Sequence, residues 1–370
     1  MTDWAAARAE FPALATQAYL NTAAGGPMCR AAAAAGCAYY EATAAEGDVH
    51  WDKWIRGVDQ VRAETAALLG VGASQIAFLQ NASAAMNQVA ARLEGRGDVV
   101  VVRDDFPSVT YPWMVAGHGV SFAEPDENGC ASLDALAAAV EPSTRIVAVG
   151  LVHYRSGYRY DLAELSAFCR DRELILVVDT TQGLGAIEVD LAAAPVDFMV
   201  CSGYKWLTAG YGFGILHVAE RHLSPGQHVA AGWRSAVDPY ALVADRLDLS
   251  PEAAALELGH PPFAAVFALG EALRMFAELG AASIEKRVLE LAAGARDVLR
   301  EAGLAVSGTV PPRSGIVFAE TSEPAALRDE LLRRGVYVSA RGTGIRVSTH
   351  FYNDETDLAR LAEALADIPG

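Results

Sequence analysis

The chain has 370 residues, 52% hydrophobic and 20% charged, enough for two domains around a sizeable buried core. A formal charge of -17 and a pI near 4.9 exclude a nucleic-acid backbone or an anionic membrane as the natural partner, because either would be repelled over most of the surface. The start MTDWAAARAEFPAL has no cationic and apolar leader pattern, no run nears the ~18 apolar residues of a membrane span, and the five cysteines show no CxxC spacing for a disulfide framework or a metal site.

Residues 1–15 read as a short amphipathic helix, followed by Tyr19-Leu20-Asn21 and the turn Ala23-Ala24-Gly25-Gly26-Pro27. Helices are expected at about 28–46 and 53–69, with His50-Trp51-Asp52-Lys53-Trp54 at their junction. A strand over 76–79 runs into a helix that starts at Asn81-Ala82-Ser83, where Ser83 suits either an N-cap or a phosphate contact. A strand over 99–102 ends at Arg103-Asp104-Asp105-Phe106-Pro107-Ser108, in which Phe106 taken alone reads as core. A helix at about 132–140, a strand over 145–150, the loop His153-Tyr154-Arg155-Ser156-Gly157 and a helix over 162–172 follow.

The stretch from Leu174 to Val218 organises the rest. An apolar run over 174–178 ends on Asp179, and a second ends at Cys201 just before Ser202-Gly203-Tyr204-Lys205. Ligands in open α/β sheets sit where strands end, so a carboxylate and a lysine are offered to one crevice. Lys205 read alone is more often a solvated strand end than a catalyst. With Asp179, Gln182 and the glycines at 210, 212 and 214, it matches what pyridoxal phosphate (PLP) needs: a lysine for its aldehyde and an acid for its ring nitrogen. Beyond an irregular stretch at about 235–265, helices over 264–279 and 282–302 precede an alternation of strand (316–319), helix (323–334), strands (336–339 and 344–348) and helix (354–367).

From Tyr19-Leu20-Asn21-Thr22-Ala23-Ala24 to Arg346-Val347-Ser348-Thr349-His350-Phe351-Tyr352-Asn353, the chain resembles the class V aminotransferase-type PLP enzymes. That group includes cysteine desulfurases, isopenicillin N epimerase-like proteins and kynureninase. The resemblance implies an α/β fold, the PLP-dependent transferase fold type I: a large domain (16–255) with a mostly parallel seven-stranded sheet between helices, and a smaller C-terminal α+β domain (1–15 with 256–370). It assigns Lys205 to the Schiff base, Asp179 to the pyridine nitrogen and Phe106 to stacking on the ring. Gln182 and Tyr154 fall near the phenolic oxygen, while Ser83, Ala84, Ser202 and Tyr204 fall to the phosphate. His260 replaces a threonine that reaches across a dimer to the other site's phosphate, and His50 lies in a segment directed at the neighbouring subunit.

For the substrate, the resemblance implies Arg346 on the α-carboxylate, Ala24 and Gly25 beside it, and His153 as a contact, with Arg341 and His350 as further pocket candidates. Phe106 and Tyr204 follow kynureninase where other members carry histidine. The desulfurase cysteine is missing from 338–344, which disfavours desulfuration. The expectation is therefore an amino-acid lyase working by β-elimination, with C–S cleavage of a cysteine conjugate as its specific form. Transamination is the alternative, then epimerisation or decarboxylation, and a non-catalytic ligand-binding protein on the same scaffold is the reading of a different class. A cytoplasmic homodimer with sites shared across the interface is expected, without metal, nucleic acid or membrane.

Overall fold

The computed structural model describes residues 2–224, 229–308 and 313–366; Met1 and 367–370, at the ends of the expected small domain, lie outside them. A short strand β1 (Ala18–Tyr19) precedes the main sheet, formed by β2 (Ile76–Leu79), β3 (Asp98–Val102), β4 (Val120–Ala123), β5 (Thr144–Gly150), β6 (Ile175–Asp179), β7 (Phe198–Ser202) and β8 (Gly214–Val218). These seven strands lie in the order β2-β8-β7-β6-β5-β3-β4, and only β8 runs against its neighbours. A second sheet contains β9 (Ala305–Ser307), β10 (Ile316–Glu320), β12 (Ser339–Arg341) and β13 (Gly344–Ser348), while β11 (Val336–Tyr337) pairs with β1.

The helices are α1 (Trp4–Ala9), α2 (Arg30–Glu46), α3 (Trp51–Leu69), α4 (Ala82–Arg92), α5 (Pro107–Val115), α6 (Leu133–Ala139), α7 (Leu162–Arg170), α8 (Phe263–Leu279), α9 (Ala281–Glu301), α10 (Pro324–Arg333) and α11 (Glu355–Ala366). Strands covered on both faces carry continuous apolar runs, and β3 shows why. Val100 and Val102 pack on the side of α3 and α8, Val99 and Val101 on the side of α4 and α5, so no position in the run faces water.

Two expectations need correction. The expected helix over 1–15 stops at Ala9, because Pro12 cannot donate to a helix and biases Phe11 toward the extended backbone it adopts. The strand expected over 336–339 is two strands that serve different sheets. Val266, Leu269 and Leu273 of α8 pack into the large core, and Ala18 and Leu20 join the core of the small sheet with Ala295, Val347 and Leu361. The helix α5 and the strands β1, β4 and β9 were not anticipated.

Candidate active site

The site forms along one edge of the main sheet, at the carboxyl ends of β2, β3, β5, β6 and β7 and the residues just before β8. A cavity of about 670 Å³ opens there, lined by Ser83, Asp105, Phe106, Ser108, Tyr154, Asp179, Thr181, Gln182, Ser202, Tyr204, Lys205 and Tyr211 among others. Lys205 is buried at 6% exposure, whereas the chain's two other lysines, Lys53 and Lys286, are exposed. Burial pulls the Lys205 amine down from 10.5 to about 8, with Asp179 opposing and Arg346 adding to the shift. Its Nζ lies 5.4 Å from the centre of the Phe106 ring, which is edge-on to Tyr154 at 5.6 Å.

Asp179 ends β6 with its carboxylate accepting the Thr181 amide at 2.8 Å, and burial holds its pKa above the ordinary value. Gln182 donates to the Ala23 carbonyl at 3.0 Å and accepts from the Trp206 indole at 2.8 Å, so its amide is fixed in the cavity wall. At the start of α4 the Ala82 amide donates to Ser202 Oγ at 3.1 Å and the Ala84 amide to Asn81 Oδ1 at 2.8 Å. The Ser83 amide is the first-turn donor left over, beside a Ser83–Ser108 hydroxyl pair at 2.7 Å. Ala84, expected to contact a phosphate, instead has its amide capped by Asn81 and does not line the cavity.

Arg346 is buried at 1% exposure, donates to the Tyr154 carbonyl at 2.5 Å, and leaves Nε and Nη2 without a partner. Ala24 and Gly25 lie on the turn above Tyr204; a β-carbon on Gly25 would come within 2.9 Å of the Tyr211 hydroxyl. Gly26 is required sterically, since its β-carbon would fall 2.2 Å from the Lys205 carbonyl.

Other histidines stand apart. His153 is buried, with Nδ1 on Ser156 Oγ at 2.9 Å and Nε2 on the Asp104 carbonyl at 3.0 Å, so both nitrogens are engaged and neither is offered to a substrate. His350, fully buried, bonds the Trp206 carbonyl at 2.8 Å, and burial takes it down to about 3, leaving a neutral packing group outside the cavity lining. The exposed ring of His260 lies edge-on to Trp51 at 5.1 Å and Trp233 at 5.2 Å, away from this chain's cavity, and His50 pairs with Glu46.

Asp105, Ser108, Thr181 and Tyr211 line the cavity without having been singled out. Asp105 was legible in principle, because it follows the end of β3 as Asp179 closes β6. Its carboxylate accepts the amides of Phe106 and Gly150, both at 2.7 Å, and so ties the Phe106 turn to β5. Tyr211 stacks on Tyr204 at 4.3 Å.

The residues fit PLP group by group. The buried amine of Lys205 suits the aldehyde, the Asp179 carboxylate the ring nitrogen, and the Phe106 face the ring. The serine hydroxyls with the open amide at a helix start suit a phosphate. The unpartnered Arg346 nitrogens suit a carboxylate.

Comparison with known proteins agrees. The chain is similar to isopenicillin N epimerase of Streptomyces clavuligerus, 31% identical over 401 residues that cover 100% of this chain and 99% of that protein. It is also similar to kynureninase of Deinococcus radiodurans, 31% identical over 243 residues, 64% of this chain and 58% of that protein. In fold it resembles the apo cysteine desulfurase of Thermococcus onnurineus NA1, with a TM-score of 0.88 at 22% identity over 100% of this chain and 99% of that one. The likeness extends to C-DES carrying glycine covalently linked to the PLP cofactor, with a TM-score of 0.89 at 20% identity over 100% of both chains. The family model described as Aminotransferase class-V matches residues 18–361, so the chain belongs to the class-V aminotransferase family of PLP-dependent enzymes.

Proposed function

We propose that the protein is an amino-acid lyase that eliminates a β-substituent, the C–S bond of a cysteine conjugate in its specific form. One observation carries the reading: among the described residues Lys205 is the only amine lining the cavity, and it faces the phenyl ring of Phe106, which offers no exchangeable proton. When bound, PLP supplies an electron sink for the pair left at Cα. Asp179 would hold the ring nitrogen in its protonated form, and Phe106 would pin the ring. Arg346 would orient the substrate by its α-carboxylate. Lys205 Nζ would take the α-proton and return it to the departing group. A thiolate suits that exchange, because it is a weak enough base to depart and a strong enough one to take a proton from a neighbouring ammonium.

A second reading has its own support. The full-length likeness to isopenicillin N epimerase favours epimerisation, which shares proton removal at Cα and differs in where the proton returns. Transamination is the third. Incubation of the PLP-loaded enzyme with a panel of amino acids separates them. The lyase reading expects keto acid, ammonia and thiol without an amino acceptor. Keto acid that appears only with an acceptor, or loss of chirality without keto acid, overturns it.

We also infer a cytoplasmic homodimer. The free cysteines suit a reducing compartment, and the exposed Val237, Tyr240, Leu242 and Leu247 form an apolar segment suited to a second copy.

A further inference from the structure

The small sheet carries Arg341 and Arg346, and Arg155 of the loop after β5 lies against the same sheet with Asp104 as its carboxylate. Across β12 and β13, Ser339 is opposite Arg346, and across β10 and β13, Phe318 is opposite Arg346. Cross-strand partners and alternate residues share a face, so Ser339, Arg341, Arg346 and Phe318 project to the same side. Arg346 on that side reaches the carbonyl of Tyr154, which lines the cavity, and Ser339 bonds Asn21. The opposite side, with Val317, Ile345 and Val347, is packed against the helices. Arg155 lies over the Phe318 ring at 6.0 Å and is paired with Asp104.

Arg341 has no such partner. Its one hydrogen bond among the described residues goes to the Ala340 carbonyl at 2.9 Å, and no described acid pairs with it. Its charge acts on both Lys205 and Arg346, adding to the forces that lower each. In a chain of net charge -17, the buried Arg346 and the half-buried Arg341 both lie near Lys205 without a described carboxylate as partner, which leaves each guanidinium free to take an anion. Arg346 accounts for one carboxylate.

We propose that Arg341 determines specificity by holding a second carboxylate, at the far end of the substrate's side chain, so that the enzyme prefers amino acids whose side chain or leaving group is acidic. The proposal rests on the reading that the cavity takes amino acids through Arg346, but not on the reaction that follows. A guanidinium and a carboxylate form charge-assisted hydrogen bonds about twice as strong as neutral ones, and the corresponding amide cannot replace them.

Calorimetric titration of the PLP-loaded enzyme with aspartate, glutamate and 2-aminoadipate, each against its neutral side-chain amide, tests this. None carries a leaving group, so binding is read apart from elimination. The expected result is at least one acid that binds ten-fold or more tightly than its amide. Arg341→Met should abolish that preference, and Arg341→Lys should restore part of it. Equal affinity for acid and amide in every pair, absence of acid binding at millimolar concentration, or a preference that survives in Arg341→Met overturns the proposal. The wild-type comparison stands even if a variant fails to fold. Discrimination between acid and amide without elimination from any cysteine conjugate would overturn the lyase reading and leave this one standing.

Discussion

At the scale of single residues, the site is built on a buried amine held out of its usual state. Lys205 titrates at about 8 in the folded chain against 10.5 as an ordinary lysine. Between those values the unfolded chain binds more protons, so stability of the cofactor-free protein rises with pH through that window. At neutral pH the buried ammonium is a cost, and Lys205→Met should stabilise the cofactor-free protein at pH 7 by up to about 3 kcal/mol in denaturant melts. Labelling of Lys205 by trinitrobenzenesulfonate in the same protein should rise with a midpoint near pH 8, and a midpoint above 10 would contradict the account. Asp179 and Lys205 could be read from sequence because each closes or follows an apolar strand. His153 and His350 could not, because a loop side chain's direction depends on partners distant in the chain, the Asp104 carbonyl for one and the Trp206 carbonyl for the other.

At the scale of elements, the phosphate end of the cavity depends on how closely β8 passes the start of α4. A β-carbon on Gly214 would lie 2.6 Å from the Asn81 carbonyl carbon and 2.8 Å from the Cys201 oxygen, both backbone atoms that cannot rotate away. Gly214→Ala should therefore destabilise the fold by about 1–3 kcal/mol in a denaturant melt, and it should weaken inorganic phosphate binding by displacing the Ser83 amide. Asn81→Ala removes only the cap on Ala84 and should cost about 1 kcal/mol. The buried parallel strands were legible because apolar runs of four or five residues bounded by turns have few other uses. The helix α5 was hidden by Pro107 at its first turn and Pro112 inside it, and β4 by only one of its four residues being fully buried.

At the scale of the whole molecule, the N-terminal segment clasps the turn that leads into α11. Arg8 pairs with Asp357 at 2.7 Å and Asp354 at 3.0 Å and donates to the Tyr352 carbonyl at 2.8 Å, while the Asp357 side chain is wholly buried. Arg8→Ala would strand that buried carboxylate with Asn353 as its remaining side-chain partner, and thermal or chemical melts should register a loss of about 3–5 kcal/mol. The clasp was not legible in sequence, because its two sides are separated by nearly the whole chain. The convergence of five strand ends should place the PLP aldehyde on one amine, Lys205. Borohydride reduction of the PLP-loaded protein, proteolysis and mass spectrometry test it most directly, since the chain offers only three lysines. The phosphopyridoxyl mass is predicted on the peptide carrying Lys205; its presence on Lys53 or Lys286, or on no peptide, would contradict the account.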